Sequence, residues 1–336
     1  MKRILASIAL GALLAFIAPA QAKSPFPVAV ETRPITNFAI GTQQIEFGAL
    51  EFVGGFEIRS KEPAFGQLSA LRFISPGDAF LGVADNGYWF SGKIERAPSG
   101  VPTGIAGFFL QQMIGEDGRV LEKKHLSDAE GLDITNNIAT VSFEGEARLC
   151  EYPFEPGSFA TAGIGKPRGC IDFLIPHHEL RKNSGLETVA RAPANGSLSG
   201  ARVVVAEGSV DADGNLFAAI VEGSQKGIFK VRRSGDFDVT DGAFLPDGDL
   251  ILLERRFSLV TGVAMRLRRI QGDTIRAGAL VDGEVLMEAG LAYRLDNMEG
   301  IDIWQRADGA TILSLLSDNN QSFLQRTLYL EFRLLR

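Results

Sequence analysis

Acidic side chains recur in this chain at the two ends of a repeating apolar pattern, and that recurrence is its clearest chemical signal. Asp85, Asp128, Glu130, Glu144, Glu187, Glu207, Asp241, Glu254, Asp296, Glu299 and Asp318 each stand where a short hydrophobic run begins or ends, with Asn86, Asn297 and Asn319 nearby. Carboxylates gathered in one place repel one another and raise one another's pKa values. Divalent cations relieve that conflict, and an all-oxygen donor set favours Ca²⁺ over Zn²⁺. The expected ligand set is Asp85, Asn86, Asp128, Glu130, Glu144, Glu187, Glu207, Asp241, Glu254, Asn297, Glu299 and Asp318. Asp and Asn also cap turns in any β protein, and that role competes for roughly half of these positions.

Cations stand beside the acids. Arg255 and Arg256 follow Glu254 directly, and Arg72 lies inside the first copy of the pattern. Guanidinium groups grip phosphate through paired hydrogen bonds, and bound metals polarise an ester oxygen and activate water. The expected catalytic group is therefore Glu254, Arg255, Arg256, Glu130 and Arg72. An ordinary ion pair with a neighbouring acid is the competing role for Arg255 and Arg256. Other nucleophile signatures are absent: no Gly-x-Ser-x-Gly, Ser-x-x-Lys or His-Glu-x-x-His occurs. His125, His177 and His178 lack a clear partner and read as solvated or packing residues. Asp211-Ala212-Asp213-Gly214-Asn215 superficially resembles a calcium-binding loop but reads as a tight turn.

The elements that must position these groups are strands. Apolar runs of four to eight residues, such as Ala139 to Phe143 and Leu250 to Leu253, alternate with turn signals such as Pro246-Asp247-Gly248. A longer repeat underlies them. A small or acidic residue leads a first run, and a second run closes on an acid. Its copies start at Ser69, Glu130, Glu187, Asp241 and Glu299, between 54 and 61 residues apart. A period with room for four short strands predicts an all-β propeller of four-stranded blades, with five repeats visible and five or six blades in the ring. Too few residues follow the last copy for a full blade, so the strand-like stretch Ile45 to Ile58 is expected to complete it. A large β-sandwich is the competing architecture. In a propeller the start of each first strand and the end of each second strand meet at one mouth, which is what would collect the acids.

Residues 1–22 read as a cleaved export signal. Lys2 and Arg3 precede the apolar run Ile4 to Ile17, and Ala20-Gln21-Ala22 places cleavage after Ala22. Residues 23–336 are then one periplasmic or secreted domain with no membrane span. The formal net charge of −7 falls further once Lys2 and Arg3 are lost, which argues against nucleic acid as a partner. In an oxidising compartment the two cysteines, Cys150 and Cys170, are expected to tie neighbouring strands in a disulfide; two buried thiols are the alternative.

Several motifs in order also resemble those of the phytase-like family, the "esterase-like activity of phytase" proteins. They are Leu68-Ser69-Ala70-Leu71 through Asp85-Asn86-Gly87, Asp128-Ala129-Glu130-Gly131-Leu132, Phe244 to Leu250, Leu253-Glu254-Arg255-Arg256-Phe257, Asp296-Asn297-Met298-Glu299-Gly300, and Ser317-Asp318-Asn319-Asn320 followed by Gln325-Arg326-Thr327. The resemblance implies an exported propeller related to calcium-dependent phytases and described as esterase-like. Lys residues are few near these motifs, which argues against phytate itself as substrate. The resulting expectation is a Ca²⁺-loaded hydrolase of phosphate or related esters acting on a small molecule. A non-catalytic ligand- or partner-binding propeller and a lactonase-like carboxyl-ester hydrolase stand as alternatives, and oligomeric state is left open.

Overall fold

The structure is a computed structural model and describes residues 24–182, 184–258, 260 and 262–335. The expected export signal at 1–22 lies outside the described residues. Five antiparallel sheets follow one another along the chain. Blade 1 holds Leu68–Phe73, Ala79–Ala84, Tyr88–Arg96 and Pro102–Gln112, and blade 2 holds Ala129–Thr135, Ile138–Phe143, Arg148–Pro153 and Gly169–Ile171. Blade 3 is built from Leu186–Arg191, Arg202–Val210, Leu216–Ile220 and Gly227–Val231, and blade 4 from Asp238–Phe244, Leu250–Ser258, Gly262–Ile270 and Glu284–Ala289. Blade 5 takes Asn297–Gln305, Thr311–Asp318 and Thr327–Leu334 from the C-terminal end of the chain.

Its fourth strand is Leu50–Arg59, which pairs with Thr327–Leu334 and closes the ring, as the N-terminal apolar stretch predicts. The first strands of the five blades pack each against the next, from blade 1 to blade 5 and back to blade 1. The molecule is therefore a five-bladed propeller, and the sandwich alternative is excluded. Short strands extend three blades beyond the expected four: Phe26–Pro27 on blade 1, Glu31–Ile35 on blade 5, and Leu280–Val281, which joins blade 3 in parallel.

Blades stack face to face because each strand alternates its side chains and both faces of a blade meet a neighbour. Between blades 4 and 5, for example, Leu253, Met265 and Leu267 pack with Ile301, Leu313, Leu315 and Phe332. Cys150 and Cys170 lie directly opposite each other on adjacent strands of blade 2 and are joined in a disulfide. Closing a loop of this size contributes on the order of 3 kcal/mol by the chain-entropy argument. Among the described residues no helix is long and apolar enough to cross a membrane.

Candidate metal centre

A β-bulge aims each blade at the mouth. On the first strand of every blade one extra residue interrupts the pairing register: Ser69 in blade 1, Glu187 in blade 3, Thr240 in blade 4 and Glu299 in blade 5. In blade 2, Glu130 and Gly131 together face Ser142. A bulge bends the strand and re-aims its extra side chain, and here it turns that side chain out of the sheet. Gly131 follows for a steric reason, since a Cβ there would fall 2.3 Å from the Glu187 carbonyl oxygen of the next blade.

The second strands meet the bulges at equivalent places too. Ala84, Phe143, Ala206, Glu254 and Ser317 pair with the residue just before each bulge. One residue further on stand Asp85, Glu144, Glu207, Arg255 and Asp318. All five line one cavity of about 260 Å³, together with Ser69, Lys124, Asp128, Glu130, Glu187, Glu299 and Asn320. Eight carboxylates face two cations there.

Blade 4 breaks the acidic rule, and the sequence reading slips by one residue at that blade. A one-residue shift moves a side chain to the opposite face of its strand. Arg255 holds the place that acids hold in the other four blades, and Thr240 the place that Glu holds in blades 2, 3 and 5, so Asp241 and Glu254 point away from the cavity. Glu254 is buried inside its blade, where it accepts from Arg266 Nε at 2.7 Å and from Arg268 Nη2. Both its oxygens are taken, which removes it as a ligand and as a catalytic group.

Asp241 is fully buried on the propeller axis and grips Arg72 with two bonds of 2.7 Å. Arg72 also donates to the carbonyls of Ile301, Val189 and Gly242, and Asp241 accepts from the Ile301 and Gly242 amides. This pair therefore pins blades 1, 3, 4 and 5 together beneath the mouth. Burial disfavours the charged guanidinium, but Asp241 beside it more than compensates and holds the Arg72 proton above its ordinary strength. Neither Arg72 nor Asp241 reaches the acidic cavity; Arg72 instead lines a separate one with Asp133, Arg191 and Asp302.

Arg256 lies outside the cavity as well, 4.8 Å above the Phe237 ring. Asp296 caps the turn before blade 5, accepting from the Asn297 and Arg326 amides. Asn297 does not line the cavity but braces two groups that do, accepting from Arg255 and donating to Glu299. Asn86 donates to the Ala64 carbonyl at 3.2 Å, while its own oxygen is buried without a partner. None of His125, His177 or His178 lines the cavity. Asp211 bonds the amides of Asp213 and Asn215, the tight turn its sequence predicts.

Within the cavity the acids fall into two groups. Asp85, Asp128 and Glu130 bring ligand oxygens within 4.8 Å of one another, and so do Glu144, Glu187 and Glu207. Lys124 was not anticipated. Its ammonium sits between Asp85, at 3.0 Å, and Asp128. The signal for it was the i,i+4 spacing of Lys124 and Asp128 across the short helix Lys124–Ser127. Arg255 reaches Glu207 at 3.3 Å and Glu299 at 3.5 Å.

Burial pushes every shifted acid here upward. Glu299 rises to about 8, with burial the main cause, Arg255 opposing and Asp318 adding. Glu207 rises to about 7 by burial, again against Arg255, and Asp318 to about 6. Glu130 and Glu187 are raised well above the carboxylate range by burial first. Asp128 and Asp85 then add to Glu130, and Glu130 and Glu207 to Glu187.

A closed ring of five antiparallel blades around an acid-lined mouth defines a β-propeller with one carboxylate-rich face. The chain belongs to the phytase-like family, described as "esterase-like activity of phytase", whose model matches residues 63–321. No curated protein matches it in sequence. Among solved structures it is similar to an endo-arabinase from Bacteroides thetaiotaomicron, at 10% identity and TM-score 0.47, over 80% of this chain and 94% of that one. The PQQ-bound aldose sugar dehydrogenase of Streptomyces coelicolor is similar at 12% identity and TM-score 0.40, over 94% of this chain and 100% of the other. AofleA from Arthrobotrys oligospora follows at 10% identity and TM-score 0.37, over 90% and 86%. Likeness at this level says nothing of substrate.

Proposed function

We propose that this protein is a Ca²⁺-dependent hydrolase of phosphate or related esters that works at the acidic mouth. The observation that carries the reading is the pair of three-carboxylate groups facing only two cations. The donors fit the metal. They are all oxygens, as Ca²⁺ requires, and Asp85 Oδ1 and Asn86 Oδ1 are buried without a hydrogen-bond partner. Among the described residues no hydrogen bond reaches the carboxylates of Glu130 or Glu187. Asp85, Asp128 and Glu130 would hold one ion, and Glu144, Glu187 and Glu207 a second.

Bound cations would supply Lewis acidity toward an ester oxygen and a lowered pKa for an attacking water. Arg255 supplies the complementary charge from blade 4, where its guanidinium borders the cavity and its Nε has no partner. It would donate to an anionic ester oxygen. Lys124 provides a second, more exposed positive group on the opposite side of the ring. Among the described residues Lys124 is the one lysine that lines the cavity, so the reading is of a substrate with one or two phosphates. The disulfide of blade 2 fits an oxidising, exported location for residues 23–336.

The test is turnover of p-nitrophenyl phosphate, bis-p-nitrophenyl phosphate, p-nitrophenyl acetate and a lactone, each with Ca²⁺ and with EDTA. Phosphate-ester cleavage that EDTA abolishes is expected. Lactone cleavage alone would point to a carboxyl-ester enzyme, and no turnover on any of them would leave a binding protein. Glu130→Gln and Glu187→Gln should each shrink the calcium-induced rise in melting temperature.

A further inference from the structure

Five large apolar side chains are the most exposed among the described residues. Phe323 is 95% exposed, Val260 91%, Leu324 77%, and Phe257 and Leu291 68% each. All five lie on the mouth side of blades 4 and 5. Phe257 is two residues beyond Arg255 on a strand that pairs with Gly262–Ile270 without a register shift, so both side chains share a face. Arg255 borders the cavity, and Phe257 therefore stands about 7 Å further out on the same wall.

Val260 is at the tip of that hairpin. Leu291 lies on the connection from Glu284–Ala289 to Asn297–Gln305, with its methyl groups against Gly262. Phe323 and Leu324 occupy the loop that leaves Asp318, and Asn320 of the same loop lines the cavity. Phe323, however, lines a separate groove with Glu57 to Pro63 and Phe65. Hence the hairpin of blade 4 and the connection that follows it raise Phe257, Val260 and Leu291 over the rim beside Arg255. Exposed apolar surface of this kind, continuous with a polar cavity, marks a binding surface.

We infer that the ligand of this mouth is an amphiphile: an ester with an anionic head and an apolar chain of several carbons. The head meets Arg255 and the acid-bound cations, and the chain lies along Phe257 and Val260 toward Leu291. This rests on the mouth being the ligand site proposed above, and names the class of molecule it takes. A single chain is favoured over a flat membrane because the apolar groups occupy one side of the rim only, next to the cationic wall.

The experiment is titration calorimetry of the full chain with a series of non-hydrolysable alkylphosphonates, methyl to octyl, in the presence of Ca²⁺. Affinity should rise about two- to fourfold for each added methylene. In Phe257→Ser/Leu291→Ser the gradient should flatten, while the calcium-induced melting shift, which reads the acids, stays at its wild-type value. Equal affinity for methyl- and octylphosphonate, or an unchanged gradient in the double variant, overturns the inference. Cosedimentation with phosphatidylcholine vesicles that excess octylphosphonate fails to displace would assign the rim to a membrane instead. Self-association lost in the double variant would assign it to a second copy of the chain. A chain-length gradient without hydrolysis of any ester sinks the hydrolase reading and leaves this one standing. Turnover of short esters with no gradient does the reverse.

Discussion

Replacing Asp241 by Asn should unpin the propeller without touching its mouth. The carboxylate is fully buried, holds Arg72 through two 2.7 Å bonds and accepts two backbone amides. Asn keeps the shape but takes from the buried guanidinium its hydrogen-bonded counter-charge, leaving only the more distant Asp302 and Asp133. Removing one partner of a buried ion pair costs about 3–5 kcal/mol. For the roughly 310 described residues the unfolding entropy is about 0.65 kcal/mol/K, so the melting temperature should fall by about 5–8 °C. Arg72→Met/Asp241→Leu should recover most of that loss, because replacing both charges by apolar groups is often neutral. Melting would be followed by circular dichroism with EDTA and with Ca²⁺. The calcium-induced shift should match wild type in all variants, since the pair lies below the cavity. The reasoning is refuted if Asp241→Asn melts within 1–2 °C of wild type yet loses its response to calcium.

Three further outcomes are expected. Glu299 and Glu207 titrate near 8 and 7 when folded, above the usual value of 4.5. Their stabilising contribution is complete below about pH 4.5 and is lost as pH rises through 7 and 8, so in EDTA the melting temperature should fall from pH 5 to pH 8.5. Ca²⁺ should level that slope; a flat profile in EDTA would show that the acids are already neutralised. Lys124→Met removes the ammonium held by Asp85 and Asp128, so calcium should bind more tightly, by roughly fivefold for a pair worth about 1 kcal/mol. Weaker calcium binding, measured by calorimetry, would contradict this. Glu254→Gln should cost stability, since it leaves Arg266 and Arg268 buried without a full counter-charge, yet should not alter calcium affinity.

Much of the architecture was already legible in the chain. Short apolar runs bounded by Gly, Asp and Pro have only one economical arrangement at a spacing of 54 to 61 residues, a ring of small sheets. The need of the last blade for an N-terminal strand followed from counting residues after Glu299, and Leu50–Arg59 fills it. Convergence of Asp85, Glu130, Glu144, Glu187, Glu207, Glu299 and Asp318 followed from hairpin geometry alone.

What sequence by itself could not decide was the register within a blade. Asp241 and Glu254 match the repeat as letters, but the bulge at Thr240 sets which residue turns outward. Strand side chains alternate with a period of two, so one position separates a cavity wall from a buried ion pair. Nor did the local pattern show that Arg72 would cross the axis to meet Asp241, or that Lys124 would stand between Asp85 and Asp128. Those partners come from different blades, or from a connection between blades. Hydrophobic periodicity fixes which elements form, because it is local. The pairing of charges is decided only when ring closure brings distant segments within a few ångströms of one another.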